Sequence, residues 1–185
     1  MPHRVCPWWL GYVLTWPLVR HGQNPHEILA PHVRKSWTVL EPGPGMGFFT
    51  LELARLVGPS GRVIAVDIQP KMLDRLRRRA LKAGLLDRID IRTASSESMG
   101  VADLKGSVDF ILAFAVVHEI GNARRFFREA ASASKPGALL LFAEPKGHVK
   151  ESHFDDELHA AAEAGFEVVG RPDIRRSHSV LLKKS

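Results

Sequence analysis

Apolar positions along the chain switch repeatedly between two periods. Trp37–Glu41 (WTVLE), Arg62–Val66 (RVIAV), Ile89–Thr93, Val108–Phe114 (VDFILAF) and Ala138–Ala143 (ALLLFA) are short, apolar or alternating, and predict strands. Helical spacing predicts helices over Phe48–Val57, from Pro70 to Gly84, over Asn122–Ser134 and over Phe154–Ala164. Gly58-Pro59, Gly84, the turn Lys135-Pro136-Gly137 and Gly165 stop them. An earlier helix opens at Asn24-Pro25-His26-Glu27 and is expected to run to about Arg34. There Asn24 can cap, Pro25 suits the first turn, and Glu27 stands three residues after the cap. Phe166–Val169 and Ser179–Leu182 close the chain as two strands joined by GRPDIRRSH.

Strands apolar on both faces, alternating with helices, describe an α/β protein whose parallel sheet is covered on both sides. The two closing strands have only a loop between them, so an antiparallel hairpin is expected at one edge. In such sheets ligands bind beyond the carboxyl ends of the strands, and chemistry is sought there. No repeat or low-complexity linker divides the chain.

Composition narrows the class. The chain has 185 residues and is 45% hydrophobic, enough for one domain with a full core. The formal charge of +6 permits nucleic acid or acidic partners without requiring them. A single cysteine, Cys6, excludes a disulfide framework or a cysteine metal site within one chain. It accords with a reducing cytoplasm. The apolar run Val5–Val19 (VCPWWLGYVLTWPLV) is too short for a membrane span, which needs about 20 apolar residues. Residues 1–36 are expected to pack on the domain or to act as a Trp-rich helical lid, with residues 37–185 as the domain itself.

One stretch carries chemistry. VLEPGPGMGFFTLELAR places Gly43, Gly45 and Gly47 at alternate positions after a strand ending in Glu41 and before a helix. A phosphate-gripping loop needs a lysine after its last glycine, and none follows. The dinucleotide pattern G-x-G-x-x-G fails from either start, because Phe48 or Thr50 occupies the third glycine place. A second strand ends in Asp67, whose carboxylate can accept from ribose hydroxyls.

Glu41-x-Gly43-x-Gly45-x-Gly47 followed by VIAVD resembles the first motifs of class I S-adenosylmethionine-dependent methyltransferases. The resemblance continues through VDFILAFAVVHEI, SKPGALLLFAEP and the closing strands. It implies a Rossmann-like, seven-stranded, mostly parallel sheet with helices on both faces and a C-terminal antiparallel hairpin. It further implies S-adenosyl-L-methionine as cofactor. Glu41 and the loop of Gly43, Pro44, Gly45 and Gly47 would hold the methionine part. Asp67 would hold the ribose and Ile68 would pack on the adenine. Ser95, Ser96 and Glu97 would meet the adenine edge, with Ser95 standing where an aspartate is frequent. Phe114 would floor the site.

His118 and Glu119, just past the fourth strand, are the candidate catalytic pair, since histidine titrates in the range a base needs. Glu144, His148 and His153 are weaker candidates. No H-E-x-x-H spacing is present, so no metal is expected. The Asn/Asp-Pro-Pro-Tyr signature is absent after strand four, which argues against DNA adenine or protein glutamine as acceptor. A small acceptor is therefore expected, and the tryptophans upstream hint at an apolar one. The alternatives are RNA, through the basic clusters Arg75–Arg79, Arg124-Arg125 and Arg175-Arg176, and a non-catalytic cofactor-binding protein.

Overall fold

Val39 and Leu40 are adjacent, both fully buried, and belong to different cores. Side chains alternate faces along a strand, so this pair shows a sheet covered on each side. The computed structural model describes residues 23–185. The tryptophan-rich part of the expected lid, residues 1–22, lies outside the described residues. Seven strands, β1 (Thr38–Pro42), β2 (Arg62–Asp67), β3 (Ile89–Thr93), β4 (Val108–Phe114), β5 (Ser134–Pro145), β6 (Phe166–Gly170) and β7 (Ser177–Lys184), form one sheet in the order β3-β2-β1-β4-β5-β7-β6. The pairs among β1 to β5 are parallel, while β7 runs antiparallel to both β5 and β6. The expected hairpin is present, with β7 inserted beside β5 and β6 left at the edge.

Five α-helices are described: α1 (Pro25–Leu29), α2 (Thr50–Val57), α3 (Pro70–Lys82), α4 (Ala123–Ala133) and α5 (Glu151–Glu163). Leu53, Ala54 and Val57 of α2 and Leu73, Leu76 and Ala80 of α3 pack with Val39, Val63, Phe110 and Leu112 on one face. Phe126 and Phe127 of α4 and Phe154 and Ala161 of α5 pack with Leu40, Ile64, Ile111 and Phe142 on the other. Each of the valines, leucines, isoleucines and phenylalanines among them contributes about 1.5–3 kcal/mol by leaving water.

Three elements differ from the pattern reading. α1 stops at Leu29 rather than near Arg34, because Pro31 lacks an amide donor and its ring collides with the preceding turn. The turn expected at Lys135–Gly137 lies inside β5. There the pairing steps from Val108–Ser134 to Phe110–Leu139, so these residues swell out of the ladder, with Gly137 at φ +79. α5 begins at Glu151, one turn before Phe154.

Candidate active site

β1 delivers Glu41, 3% exposed, to the carboxyl edge of the sheet. The chain then turns through Gly43, Gly45 and Gly47 at φ +68, +54 and +81, left-handed conformations that favour glycine. The Gly43 amide donates to Val66 O at 2.9 Å, tying the loop to β2. The Gly45 amide donates to Asp67 Oδ2 at 3.3 Å, and the Gln69 amide donates to Oδ1 at 2.8 Å. Burial raises the Asp67 pKa above the usual carboxylate value, although the amides of Gln69, Gly45 and Ile68 pull the other way. Ile68 beside it is 41% exposed.

Opposite the loop, β4 ends and Ala115 takes a left-handed φ of +55 while its amide donates to Ala143 O at 2.8 Å. A left-handed alanine costs about 1–2 kcal/mol, and here it throws the chain out of the sheet into a one-turn 3₁₀ helix, Val117–Glu119. Between these two turns and the end of β3 lies a cleft of about 530 Å³, within the size range of small-ligand pockets. Gly43, Asp67, Ile68, Ser95, Ser96, Glu97, Val116 and Glu119 line it, as do Arg125 and Glu129 from α4.

The methyltransferase-domain family matches residues 40–142, more than half of the chain. This chain belongs to the class I S-adenosylmethionine-dependent methyltransferases. The enzyme is 29% identical to the ubiquinone/menaquinone biosynthesis C-methyltransferase UbiE of Brucella anthropi, over 98% of this chain and 63% of that protein. It is 30% identical to the UbiE of Hahella chejuensis over 66% of this chain and 50% of that one. It therefore spans only half to two thirds of the length of these relatives. Its fold matches an S-adenosylmethionine-dependent methyltransferase from Aquifex aeolicus at TM-score 0.86 and 21% identity, covering 98% of this chain and all of that one. It also matches an O-methyltransferase from Thermotoga maritima at 0.65 and 16%, covering 100% and 67%.

S-adenosylmethionine is the methyltransferase's cofactor, and the residues present fit it. The cleft joins a carboxylate at a strand end, an exposed isoleucine and a left-handed glycine turn. The expected residues divide between the cleft wall and its surroundings. Glu41, Pro44, Gly45, Gly47 and Phe114 do not line it. Phe114 packs on Phe49, with ring centroids 4.6 Å apart. The Ser95 hydroxyl is engaged in its own turn, accepting from the Glu97 and Ser98 amides at 3.2 and 3.1 Å. Glu97 is held by Arg125 at 2.7 Å, and a second Arg125 nitrogen donates to Ser96 O at 2.8 Å. Sequence reasoning missed Arg125 and Glu129. The cap Asn122, whose side chain accepts from the Arg125 amide, was the available signal that the first turn of α4 faces the cleft.

Glu119 reaches the cleft but His118 does not line it. The His118 ring turns to Glu144 of β5, with Nδ1 2.5 Å from Oε2. Glu144 is fully buried, and its Oε1 accepts from the Val117 amide at 2.8 Å and the His118 amide at 3.3 Å. Burial works to lower the His118 pKa, but the hydrogen bond and charge of Glu144 carry it above the usual histidine value. The weaker candidate Glu144 is thus the anchor of the whole turn.

Proposed function

We propose that this enzyme, through a domain spanning residues 37–185, transfers a methyl group to a small, largely apolar acceptor, with carbon methylation of an aromatic ring the first choice. The naming of the relatives as C-methyltransferases supports the acceptor class. The single observation that carries the cofactor half is the cleft in which Asp67, Ile68 and the Gly43 turn meet. Asp67 would hold the ribose hydroxyls and Ile68 would cover one adenine face. Glu41 and the glycine loop would hold the methionine part, Ser95, Ser96 and Glu97 the adenine edge, and Phe114 would back the floor from behind.

The bound cofactor supplies an electrophilic methyl on sulfur, and the chain's contribution is mainly alignment. An acceptor that must lose a proton needs a base. In this reading Glu119, which lines the cleft, is the first candidate to take the acceptor's proton. His118, held behind the cleft wall by Glu144 through Nδ1, is the second.

RNA is the second reading, and several of its basic residues are already committed. Arg79 donates to Met46 O at 2.6 Å, Arg124 pairs with Glu163 and Arg125 with Glu97. These pairings weaken a continuous phosphate-binding face. Transfer of labelled methyl into cell extract, fractionated into small molecules, lipids, protein and RNA, tests both. Label in an apolar small-molecule or lipid fraction is expected. Label confined to RNA would refute the first reading, and label in no fraction would favour a non-catalytic cofactor-binding protein.

A further inference from the structure

A third acidic group completes the arrangement around His118. Glu157, on α5, is 3% exposed, and among the described residues its Oε2 has no hydrogen-bond partner. The charges of Glu144 of β5, of His118 in the turn and of Asp156 on its own helix all act on it. His153 Nε2 stands 3.5 Å from its other oxygen, and that imidazole is more than half exposed. Arg124, across a shallow cavity of about 400 Å³, is paired with Glu163. Glu119 adds a further negative charge near His118. Among the described residues no set of three His, Cys, Asp or Glu side chains is arranged to hold a metal, so an ion does not explain the cluster.

The turn that Glu144 anchors is in direct contact with the glycine loop. A methyl group placed on Gly43 would come within 2.6 Å of Val116 Cγ2. Val116, Glu119 and Ile120 from this turn line the cleft. Gly121 and Asn122, which directly follow this turn, line both the cleft and the cavity beside Glu157, so the buried carboxyl and the cofactor site border the same short segment.

We propose that Glu157 is a buried proton store that keeps this turn latched against the cofactor loop, and that its ionisation loosens cofactor binding. The inference rests on the cofactor-site reading given above. Burial, and then the charge of Glu144, push the Glu157 carboxyl up to about 8, with His118 opposing. At neutral pH the buried group is uncharged. At higher pH it loses its proton. A buried negative charge, with no hydrogen-bonding partner for one of its oxygens among the described residues, then stands beside the segment that carries the turn, and the turn is strained outward.

Calorimetric titration with S-adenosylhomocysteine, which lacks the sulfonium charge, tests this on the whole chain. Affinity of the unchanged protein is expected to fall about fivefold or more between about pH 7 and about pH 9. Glu157→Gln and Glu157→Met, neutral at every pH, are expected to lose that fall. The His118 ring resonances should also titrate lower in both, because an ionised Glu157 raises the His118 pKa. Parallel pH profiles for the unchanged protein and either folded variant would overturn the proposal. Failure of the unchanged protein to bind at any pH would overturn the cofactor-site reading itself, and the latch with it.

Discussion

Gly43→Ala separates two demands that the loop places on one residue. The backbone at Gly43 sits at φ +68, which costs a side-chain-bearing residue about 1–2 kcal/mol. The added methyl would also lie 2.6 Å from Val116 Cγ2 and 3.0 Å from its Cβ. Relief requires Val116 to leave its rotamer well, at about 0.5–1.5 kcal/mol. The expected loss of stability is therefore about 1.5–3.5 kcal/mol. Gly45→Ala is the internal control. Its φ of +54 brings the same backbone strain, but a methyl there would meet nothing within 4 Å, so it should cost about 1–2 kcal/mol.

The clash term is isolated by a second change. Val116→Ala alone should cost about 1 kcal/mol, as a half-buried valine loses two methyl groups. Combined with Gly43→Ala it removes the obstacle, so the double variant should be about 0.5–1.5 kcal/mol more stable than the sum of the single losses. Combined with Gly45→Ala it should be additive. Urea unfolding of the two sets, extrapolated to water, measures this. Equal losses for Gly43→Ala and Gly45→Ala, with Val116→Ala additive to both, would refute the contact between loop and turn.

Asp67→Ala should weaken S-adenosylmethionine binding by about 1.5–3 kcal/mol in calorimetry, the usual cost of losing hydrogen bonds to a charged group; unchanged affinity would remove Asp67 from the site. Glu157 makes a prediction about stability as well as binding. Its carboxyl is raised from an ordinary 4.5 to about 8, so between those values the folded chain holds a proton that the unfolded chain has lost. Stability then falls as pH rises through that window, by up to about 4–5 kcal/mol. Urea unfolding across the window should show Glu157→Gln gaining on the unchanged protein as pH rises, and a difference growing in the opposite direction would refute the raised pKa.

The alternation of faces was legible because each strand residue has one destination. Val63 and Ala65 go to one core and Ile64 and Val66 to the other, and a pattern of period two records that. The edge hairpin was legible because too few residues separate its strands for a crossover. The Glu144–His118 bond was not, since the partners stand 26 positions apart and only the parallel pairing of β4 with β5 brings them level. Glu157 left a faint trace: it follows Phe154 by three residues and precedes Ala161 by four, which puts it on the buried face of α5. An acid at such a position breaks the pattern of its own helix. Ser95 is ambiguous in sequence because a hydroxyl after β3 can serve either a ligand or its own turn; in the fold it lines the cleft while accepting from the amides of Glu97 and Ser98.

The glycine spacing that pointed to the cofactor has, in large part, a source inside the protein. A methyl on Gly43 would strike Val116, and one on Gly47 would lie 2.4 Å from Leu76 Cδ1. Those two positions are bare because the turn after β4 and helix α3 press against them. Gly45 alone of the three faces open space, and its amide is the one directed at Asp67. The backbone needs all three left-handed, yet only at Gly45 does nothing from the described chain occupy the room where a side chain would stand. The part of the motif that speaks for a ligand is therefore the middle glycine joined to the acid at the end of β2. The outer two speak for how tightly the turn after β4 and helix α3 are built around it.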